Sequence, residues 1–501
     1  MDYKKLQNGS DIRGVALEGI EGQHINLTED ACRDIGRGFA LWLTKKTGKT
    51  EGLRVAVGRD SRLSGKTLCD WLCDAMVASG LHVTDFGMAS TPAMFMSTVT
   101  EGYAFDGSVM ITASHLPFNR NGFKFFTCQG GLESADIKQI LAFAGGEEQT
   151  GLPAGSLCDG SFMDVYAKIL ADKIRAATGE EKPLEGFRIV VDAGNGAGGF
   201  YADKVLKPLG ANTDGSRYLE PDGSFPNHIP NPEDKEAMES ITEAVRETKA
   251  DLGIIFDTDV DRAGAVLADG SELNRNRIIA LLSAILLREH PGTTIVTDSI
   301  TSTGLAKFIE EKGGVHHRFK RGYRNVINES IRLNAQGQDS QLAIETSGHG
   351  AVKENYFLDD GAYIVTKLLI ELARGKKQGY TLESLIASLE EPAESVEFRM
   401  NILLEDFKTY GQQVIDELTA YAQKQEGWSL APSNFEGVRV NLDEAHGNGW
   451  FLLRLSLHDP LLPLNIESNS VGGAKKIAAE LATFIAGYDK LDAQKLLDFS
   501  K

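Results

Sequence analysis

Two stretches of this sequence set reactive side chains close together. The first, Ser108 to Phe126 (SVMITASHLPFNRNGFKFF), starts apolar with Val109, Met110 and Ile111. It then breaks into a hydroxyl (Ser114), an imidazole (His115), a rigid Leu116-Pro117 step, and Asn119, Arg120, Asn121 and Gly122. An apolar run follows, carrying one cation, Lys124. A strand end that opens into a polar loop is where α/β proteins place reacting groups, although Thr-Ala-Ser-His in isolation suits a surface turn equally well. The second stretch, Asp257 to Arg262 (DTDVDR), puts carboxylates at alternate positions directly after the apolar run Leu252-Gly253-Ile254-Ile255-Phe256. Asp257, Asp259 and Asp261 would repel one another there unless a divalent cation neutralised them. A solvated acidic turn is the plainer alternative, but Arg262 beside the triplet favours a charged, phosphate-facing site. A hydroxyl-bearing loop, an all-oxygen cation site and scattered arginines together suggest phosphoryl transfer. Mg²⁺ is the natural ion for hard oxygen ligands with open positions.

These groups need a scaffold, and the chain spells one out. Thr28 is a fitting N-cap, with Glu29 and Asp30 in the first turn where the helix dipole favours acids. Ala31, Ile35, Phe39, Trp42 and Leu43 recur at helical spacing, predicting a helix to about Lys46. Val55-Ala56-Val57 reads as a short buried strand ending in Gly58-Arg59-Asp60-Ser61-Arg62. A helix over 66–79, a strand near Val83 and the Val109 strand follow, so strands alternate with helices. The pattern restarts at Phe187–Asp192, at Leu252–Phe256 and near Thr294–Val296, without a fixed short period. Boundaries are expected in GEEQTGLPAG (146–155), near 262 and in EEPAES (390–395). Beyond the last, Phe435–Leu442 and Trp450–Leu457 read as paired strands and Ala474–Ile485 as a helix. The expected fold class is α/β: consecutive domains 1–155, 156–262 and 263–392 with mixed sheets sandwiched by helices, then a smaller α+β domain, 393–501.

Composition narrows the function classes. A chain of 501 residues exceeds one core, and about three or four domains is a fair expectation. A formal net charge of −19 argues against general nucleic-acid affinity, since phosphates select basic surfaces; a local cationic cleft can still take an anionic substrate. The cysteines (Cys32, Cys69, Cys73, Cys128, Cys158) are sparse and odd in number, which fits free thiols in a reducing compartment. No apolar run approaches the roughly 20 residues of a membrane span, and the N-terminal MDYKKLQNGSDIRG lacks a secretory apolar core. A cytoplasmic protein is expected, with neither nucleic acid nor membrane as partner.

Three motifs invite other readings. Gly194–Gly199 contains G-x-G-x-x-G after a strand, with Asp214 at a fitting distance for a ribose-binding acid; a tight strand-to-helix turn is the competing and favoured reading among 53 glycines. Gly48-Lys49-Thr50 and Gly65-Lys66-Thr67 lack the upstream glycine of a phosphate loop, Leu43 and Asp60 standing there. The aspartate triplet begins like a calcium hand, but Arg262 and Ala268 occupy the glycine and glutamate places.

Ordered motifs through nearly the whole chain resemble the α-D-phosphohexomutase superfamily, the phosphoglucomutase/phosphomannomutase group. They are SDIRG (Ser10–Gly14), GRDSRLSG (Gly58–Gly65), TASHLPFNRNGFK (Thr112–Lys124), PDGSFPNHIPNPE (Pro221–Glu233), DTDVDR (Asp257–Arg262) and ETSGHG (Glu345–Gly350). The resemblance implies that Ser114 is a phosphoserine that hands its group to a hexose phosphate and later recovers one. Asp257, Asp259 and Asp261 would hold Mg²⁺, with Ser114 completing the coordination. Arg13 and Lys124 would flank the transferred phosphate, one of them or His115 assisting proton movement, and Arg262 would support the metal loop. Glu345, Ser347 and His349 would contact sugar hydroxyls, and Lys320 would bind substrate.

The last domain departs from the family pattern. Arg454 and Ser456 keep two phosphate donors and Pro460 the turn, but Leu457, His458 and Asp459 stand where the family has glycine, threonine and glutamate. Pro463 takes a place that often holds arginine, which leaves His458 and backbone amides to compensate. The implied activity is interconversion of hexose 1-phosphate and 6-phosphate, of glucose or mannose, through a hexose 1,6-bisphosphate. The partners are small sugar phosphates, and the protein would be a monomer or homodimer. Phosphoglucosamine mutase, Mg²⁺-dependent sugar-phosphate phosphatase, nicotinamide-dependent oxidoreductase and a sugar-phosphate-binding pseudoenzyme are the alternatives.

Overall fold

In a computed structural model, residues 2–146, 155–456 and 459–501 are described. The chain divides into two units, Met1–Asn274 with Ser347–Ser384, and Arg275–Thr346 with Leu385–Lys501.

The first unit holds a mixed eight-stranded sheet and a mixed four-stranded one. In the larger, Arg54–Arg59 lies parallel to both His82–Met88 and Gly107–Ile111. Arg120–Thr127 then runs antiparallel to Gly107–Ile111, and Asp11–Val15 antiparallel to Arg120–Thr127. Helices Glu29–Thr47, Gly65–Ala78 and Ser134–Ala144 bury Phe39, Leu43, Leu72 and Ile140 with Val55, Val57 and Phe125. The first helix starts where its sequence signals: the Thr28 hydroxyl accepts the Ala31 amide at 3.3 Å. It stops at Gly48, which adopts φ 72°, a conformation glycine takes without steric cost.

The smaller sheet pairs Ile189–Asp192 parallel with Leu252–Phe256, then adds Ala263–Leu267 and Glu272–Leu273 antiparallel. Helix Lys235–Thr248 closes it over Ile241, Val245 and Ile255. Helix Gly361–Gln378 also belongs to this unit, tied to it where the Tyr166 hydroxyl donates to Asp360 at 2.6 Å.

These pairings shift the expected boundaries. Strand Ser156–Asp159 pairs with His82–Met88, so the first sheet runs past residue 155. The second sheet likewise continues past 262 through Ala263–Leu267 and Glu272–Leu273. Most of the expected 146–155 linker lies outside the described residues.

The second unit contains the parallel strands Val315–Arg318, Thr294–Thr297 and Ser340–Ile344, with helices Arg275–Glu289, Thr303–Glu311 and Tyr323–Ala335. Its antiparallel sheet runs Trp428–Leu430, Val438–Leu442, Gly449–Leu453, Leu461–Ser468, Glu394–Ile402, Leu491–Asp492. Helices Phe407–Ala422 and Gly473–Ile485 bury Leu418, Ile477 and Leu481 against it. The architecture is three consecutive α/β domains followed by an α+β domain, as the alternation of strands and helices predicts.

Candidate active site

The Ser114 loop joins two antiparallel neighbours, Gly107–Ile111 and Arg120–Thr127, whose register sets Lys124 opposite Met110. Ser114 itself adopts φ 51°, a left-handed conformation that costs a non-glycine residue about 1–2 kcal/mol and must be held by its surroundings. Its hydroxyl donates to Asp257 Oδ2 at 3.1 Å and accepts from Arg262 Nη2 at 3.1 Å. Arg262 Nη2 also lies 2.7 Å from His115 Nδ1. Burial, then the charge of Arg262, pushes the His115 imidazole down to about 3, so it is neutral and accepts that hydrogen bond.

Asp257, Asp259 and Asp261 offer carboxylate oxygens within 4.8 Å of one another, all buried. Lys124 Nζ donates to Asp259 Oδ2 at 3.0 Å and to Asp261 Oδ2. Thr91, at the start of helix Thr91–Val99, donates its hydroxyl to Asp259 Oδ2 and its amide to the Asp259 carbonyl, the latter at 2.8 Å. Arg262 Nε donates to Asp257 Oδ2 at 3.1 Å. Burial, then repulsion from Asp261 and Asp259, holds the Asp257 carboxyl well above the usual range. Burial also acts on Asp261, but Lys124, His349 and Arg262 outweigh it and keep that carboxyl below the usual range. Asp259 Oδ1 and Asp261 Oδ1 are buried without a hydrogen-bond partner. An oxygen-only cluster with orphaned acceptors and one ammonium among them fits a hard divalent cation.

Close backbone approach fixes this cluster. A Cβ on Gly196 would sit 2.7 Å from the Thr258 carbonyl oxygen, and one on Gly361 would sit 2.5 Å from the Arg262 carbonyl carbon. Within the G-x-G-x-x-G run, Gly196 thus packs against the acidic loop at Thr258, while Gly194 faces Pro230 and Gly199 faces Leu219. The Arg262 guanidinium also reaches Asn231 Oδ1 at 3.0 Å. Asn231 shares its loop with His228, whose Nε2 lies 3.0 Å from Asp192 Oδ1. Arg13 donates to Asp11 Oδ2 at 2.8 Å and to the Thr112 carbonyl at 3.2 Å, two residues before the serine. Ser347 is buried in this unit. His349 pairs with Arg262 through a backbone bridge, and its Nδ1 lies 2.6 Å from Asp359. Burial opposes protonation of His349, yet Asp359 and Asp261 raise it to about 9.

The second unit carries Lys320, Glu345, Arg454 and Ser456. Glu345 Oε1 accepts the Gly322 amide at 2.5 Å, two residues beyond the exposed Lys320. Glu436 gathers neighbouring segments: it accepts the Arg321 amide at 2.6 Å and the Ser299 hydroxyl at 3.1 Å, and lies 3.4 Å from Arg454 Nε. Ser456 Oγ accepts the Asp459 amide at 3.2 Å, while His458 lies outside the described residues. Thr91 and Glu436 were not legible as site residues: neither sits in a chemical motif of its own, and only the fold brings them to one.

Sequence models of the family described as phosphoglucomutase/phosphomannomutase match residues 4–150 (alpha/beta/alpha domain I), 164–270 (domain II) and 274–392 (domain III). A phosphoglucomutase of Neisseria gonorrhoeae is 31% identical over 92% of this chain and 93% of its own. The chain belongs to this family.

It is therefore an α-D-phosphohexomutase superfamily member, an enzyme of the isomerase class that transfers phosphate intramolecularly. A phosphomannomutase/phosphoglucomutase of Pseudomonas putida is 32% identical over 85% of each chain. A phosphoglucosamine mutase of Bifidobacterium animalis subsp. lactis is 29% identical over 95% of this chain and 98% of its own. The solved structure of a phosphoglucomutase/phosphomannomutase family protein from Burkholderia thailandensis superposes with TM-score 0.78 at 28% identity, covering 97% of this chain and 98% of that one. The fold is shared with Aspergillus fumigatus N-acetylphosphoglucosamine mutase, solved with GlcNAc-6P and magnesium, at TM-score 0.56 and 13% identity over 97% of this chain and 95% of that one. Among the described residues, no helix is long and apolar enough to cross a membrane.

Proposed function

We propose that this enzyme interconverts the 1-phosphate and 6-phosphate of glucose and mannose through phosphorylated Ser114 and a hexose 1,6-bisphosphate. The observation carrying this reading is the Ser114 hydroxyl set 3.1 Å from Asp257 at the edge of the buried carboxylate cluster. Relatives named phosphoglucomutase and phosphomannomutase/phosphoglucomutase support the sugar class.

Asp257, Asp259 and Asp261, with Ser114, would hold Mg²⁺, which when bound offsets the charge spread over the transferring phosphoryl oxygens. Arg262 orients Asp257 and donates to the serine oxygen, and Lys124 and Arg13 add fixed positive charge. In the first transfer the bond between Ser114 Oγ and phosphorus breaks and a bond from phosphorus to the sugar hydroxyl oxygen forms; the proton which that hydroxyl loses is balanced by one gained at Ser114 Oγ. The second transfer reverses this with the other phosphate of the bisphosphate and restores the phosphoserine. Glu345, Ser347 and His349 hydrogen-bond sugar hydroxyls in this scheme, Lys320 binds substrate, and Arg454, Ser456 and His458 bind the phosphate that stays. Domain limits follow the sheets, so the first domain keeps Ser156–Asp159 and the second ends after Leu273.

Phosphoglucosamine is the second candidate substrate, favoured by the Bifidobacterium relative and by the Ser347-Gly348-His349 run. Purified protein assayed with glucose, mannose and glucosamine 1-phosphates, Mg²⁺ and a trace of hexose 1,6-bisphosphate tests the proposal. Turnover of the first two supports it; no turnover of any of the three refutes it, and stoichiometric phosphate release reassigns the site to a phosphatase.

A further inference from the structure

Residues 112–120 connect two strands yet satisfy few of their own carbonyls. Within the loop, the Leu116 amide bonds the Ala113 carbonyl at 3.1 Å and the Arg120 amide bonds the Pro117 carbonyl at 2.9 Å. Four carbonyls, that of Pro117 among them, accept from one side chain of another segment, Arg62. Its Nη1 donates to the Pro117 carbonyl at 2.8 Å and the Arg120 carbonyl at 2.9 Å. Its Nη2 donates to the Leu116 carbonyl at 2.6 Å and to the carbonyl of Ser114 itself.

The guanidinium cannot swing away from this task. Its side chain and that of Asp60 are both 0% exposed, with Nε 3.5 Å from Asp60 Oδ2. The Phe225 ring covers one face with its centroid 5.2 Å off, and a Cβ on Gly223 would lie 2.3 Å from the Ser61 carbonyl, so residues 223–225 seal Arg62 from water. Arginine alone presents enough rigid donors to hold four acceptors at once; lysine has three on a single atom.

We propose that Arg62 is the positioning residue of the Ser114 loop. By drawing the Ser114 carbonyl inward it fixes the left-handed backbone at Ser114 and turns the hydroxyl toward Asp257 and Arg262. The inference rests on the phosphoserine reading for its catalytic meaning, while the loop geometry stands apart from it. Arg62 acts through Ser114 and touches no substrate. It should set kcat by fixing where the oxygen sits, and leave substrate affinity to other residues.

R62K tests this, being the variant that keeps charge and length, with thermal melting to confirm folding. Expected are a kcat reduced at least tenfold, a KM within about twofold, and at least tenfold faster amide exchange confined to residues 113–122. Unchanged kcat per folded molecule in an active enzyme would overturn the inference, as would a rise in KM alone. Should wild-type protein turn over none of the hexose phosphates, the proposed function fails separately. Amide exchange then decides Arg62: faster exchange in that loop supports positioning, and exchange equal to wild type overturns it.

Discussion

Lys124→Met isolates the electrostatics of the carboxylate cluster. Methionine nearly matches the volume, so the change is chiefly the loss of a buried charge. The three carboxylates lie within 4.8 Å, where two unit charges at an effective dielectric of about 20 repel by about 3.5 kcal/mol. Lys124 is paired with Asp259 and Asp261 and Arg262 with Asp257, and removing one partner of a buried ion pair costs about 3–5 kcal/mol. Metal-free K124M should therefore melt about 3–5 °C below wild type, at about 1 °C per kcal/mol for a protein of 501 residues. Mg²⁺ offers the same carboxylates a different counter-charge, so millimolar MgCl₂ should restore most of the loss. The gain in K124M should exceed the gain in wild type, where Lys124 already sits on Asp259 and Asp261. Calorimetry in chelator and in MgCl₂ measures both shifts. Equal melting of the two proteins in chelator, or equal Mg²⁺ gains, would refute the electrostatic account of the cluster.

Other expectations follow from single contacts. Burial disfavours protonated His228, but its hydrogen bond to Asp192 and that group's charge prevail and raise its pKa. The pair's stabilisation is then complete below the unfolded value of about 6.5 and is lost as pH rises through the folded value. Urea midpoints measured across that window should fall in wild type and stay flatter in H228Q; parallel curves would contradict the assignment. Gly196→Ala forces a Cβ to 2.7 Å from the Thr258 carbonyl, which should cost about 1–3 kcal/mol and lower kcat by displacing the acidic loop; wild-type kcat and melting would show that the loop tolerates the shift. Glu436→Gln weakens the link among Arg321, Ser299 and Arg454. If Arg454 is thereby less well placed by about 1–2 kcal/mol of binding energy, KM rises about 5–30-fold, and an unchanged KM would show that Glu436 does not position Arg454 for substrate.

Local signals in the sequence carried the elements well. The Thr28 cap, the Leu252–Phe256 strand and the helix ending at Ile485 stand where spacing and capping residues predict. The acidic triplet was readable because alternating carboxylates after an apolar run are costly without a counter-charge. Pairing between distant strands was not readable. Ser156–Asp159 follows a glycine-rich stretch that looks like a boundary, and only its parallel partner His82–Met88 assigns it to the first sheet. Strand Val438–Leu442 begins after Phe435, because Gly437 turns with φ 58° ahead of it. Arg62 stands inside a readable motif, yet its work on four carbonyls 52 to 58 positions away has no periodicity to betray it. Thr91, in no motif of its own, reaches Asp259 across a separation that periodicity does not register either.

The central claim is that Ser114 carries the phosphoryl group, and the mass of the intact protein tests it most directly. Wild-type protein, as purified or after exposure to hexose 1,6-bisphosphate, should carry the mass of one added phosphate. That mass should vanish in Ser114→Ala and, in wild type, transfer to added hexose monophosphate. A phosphate retained in Ser114→Ala, or none acquired by active wild-type enzyme, would contradict the account.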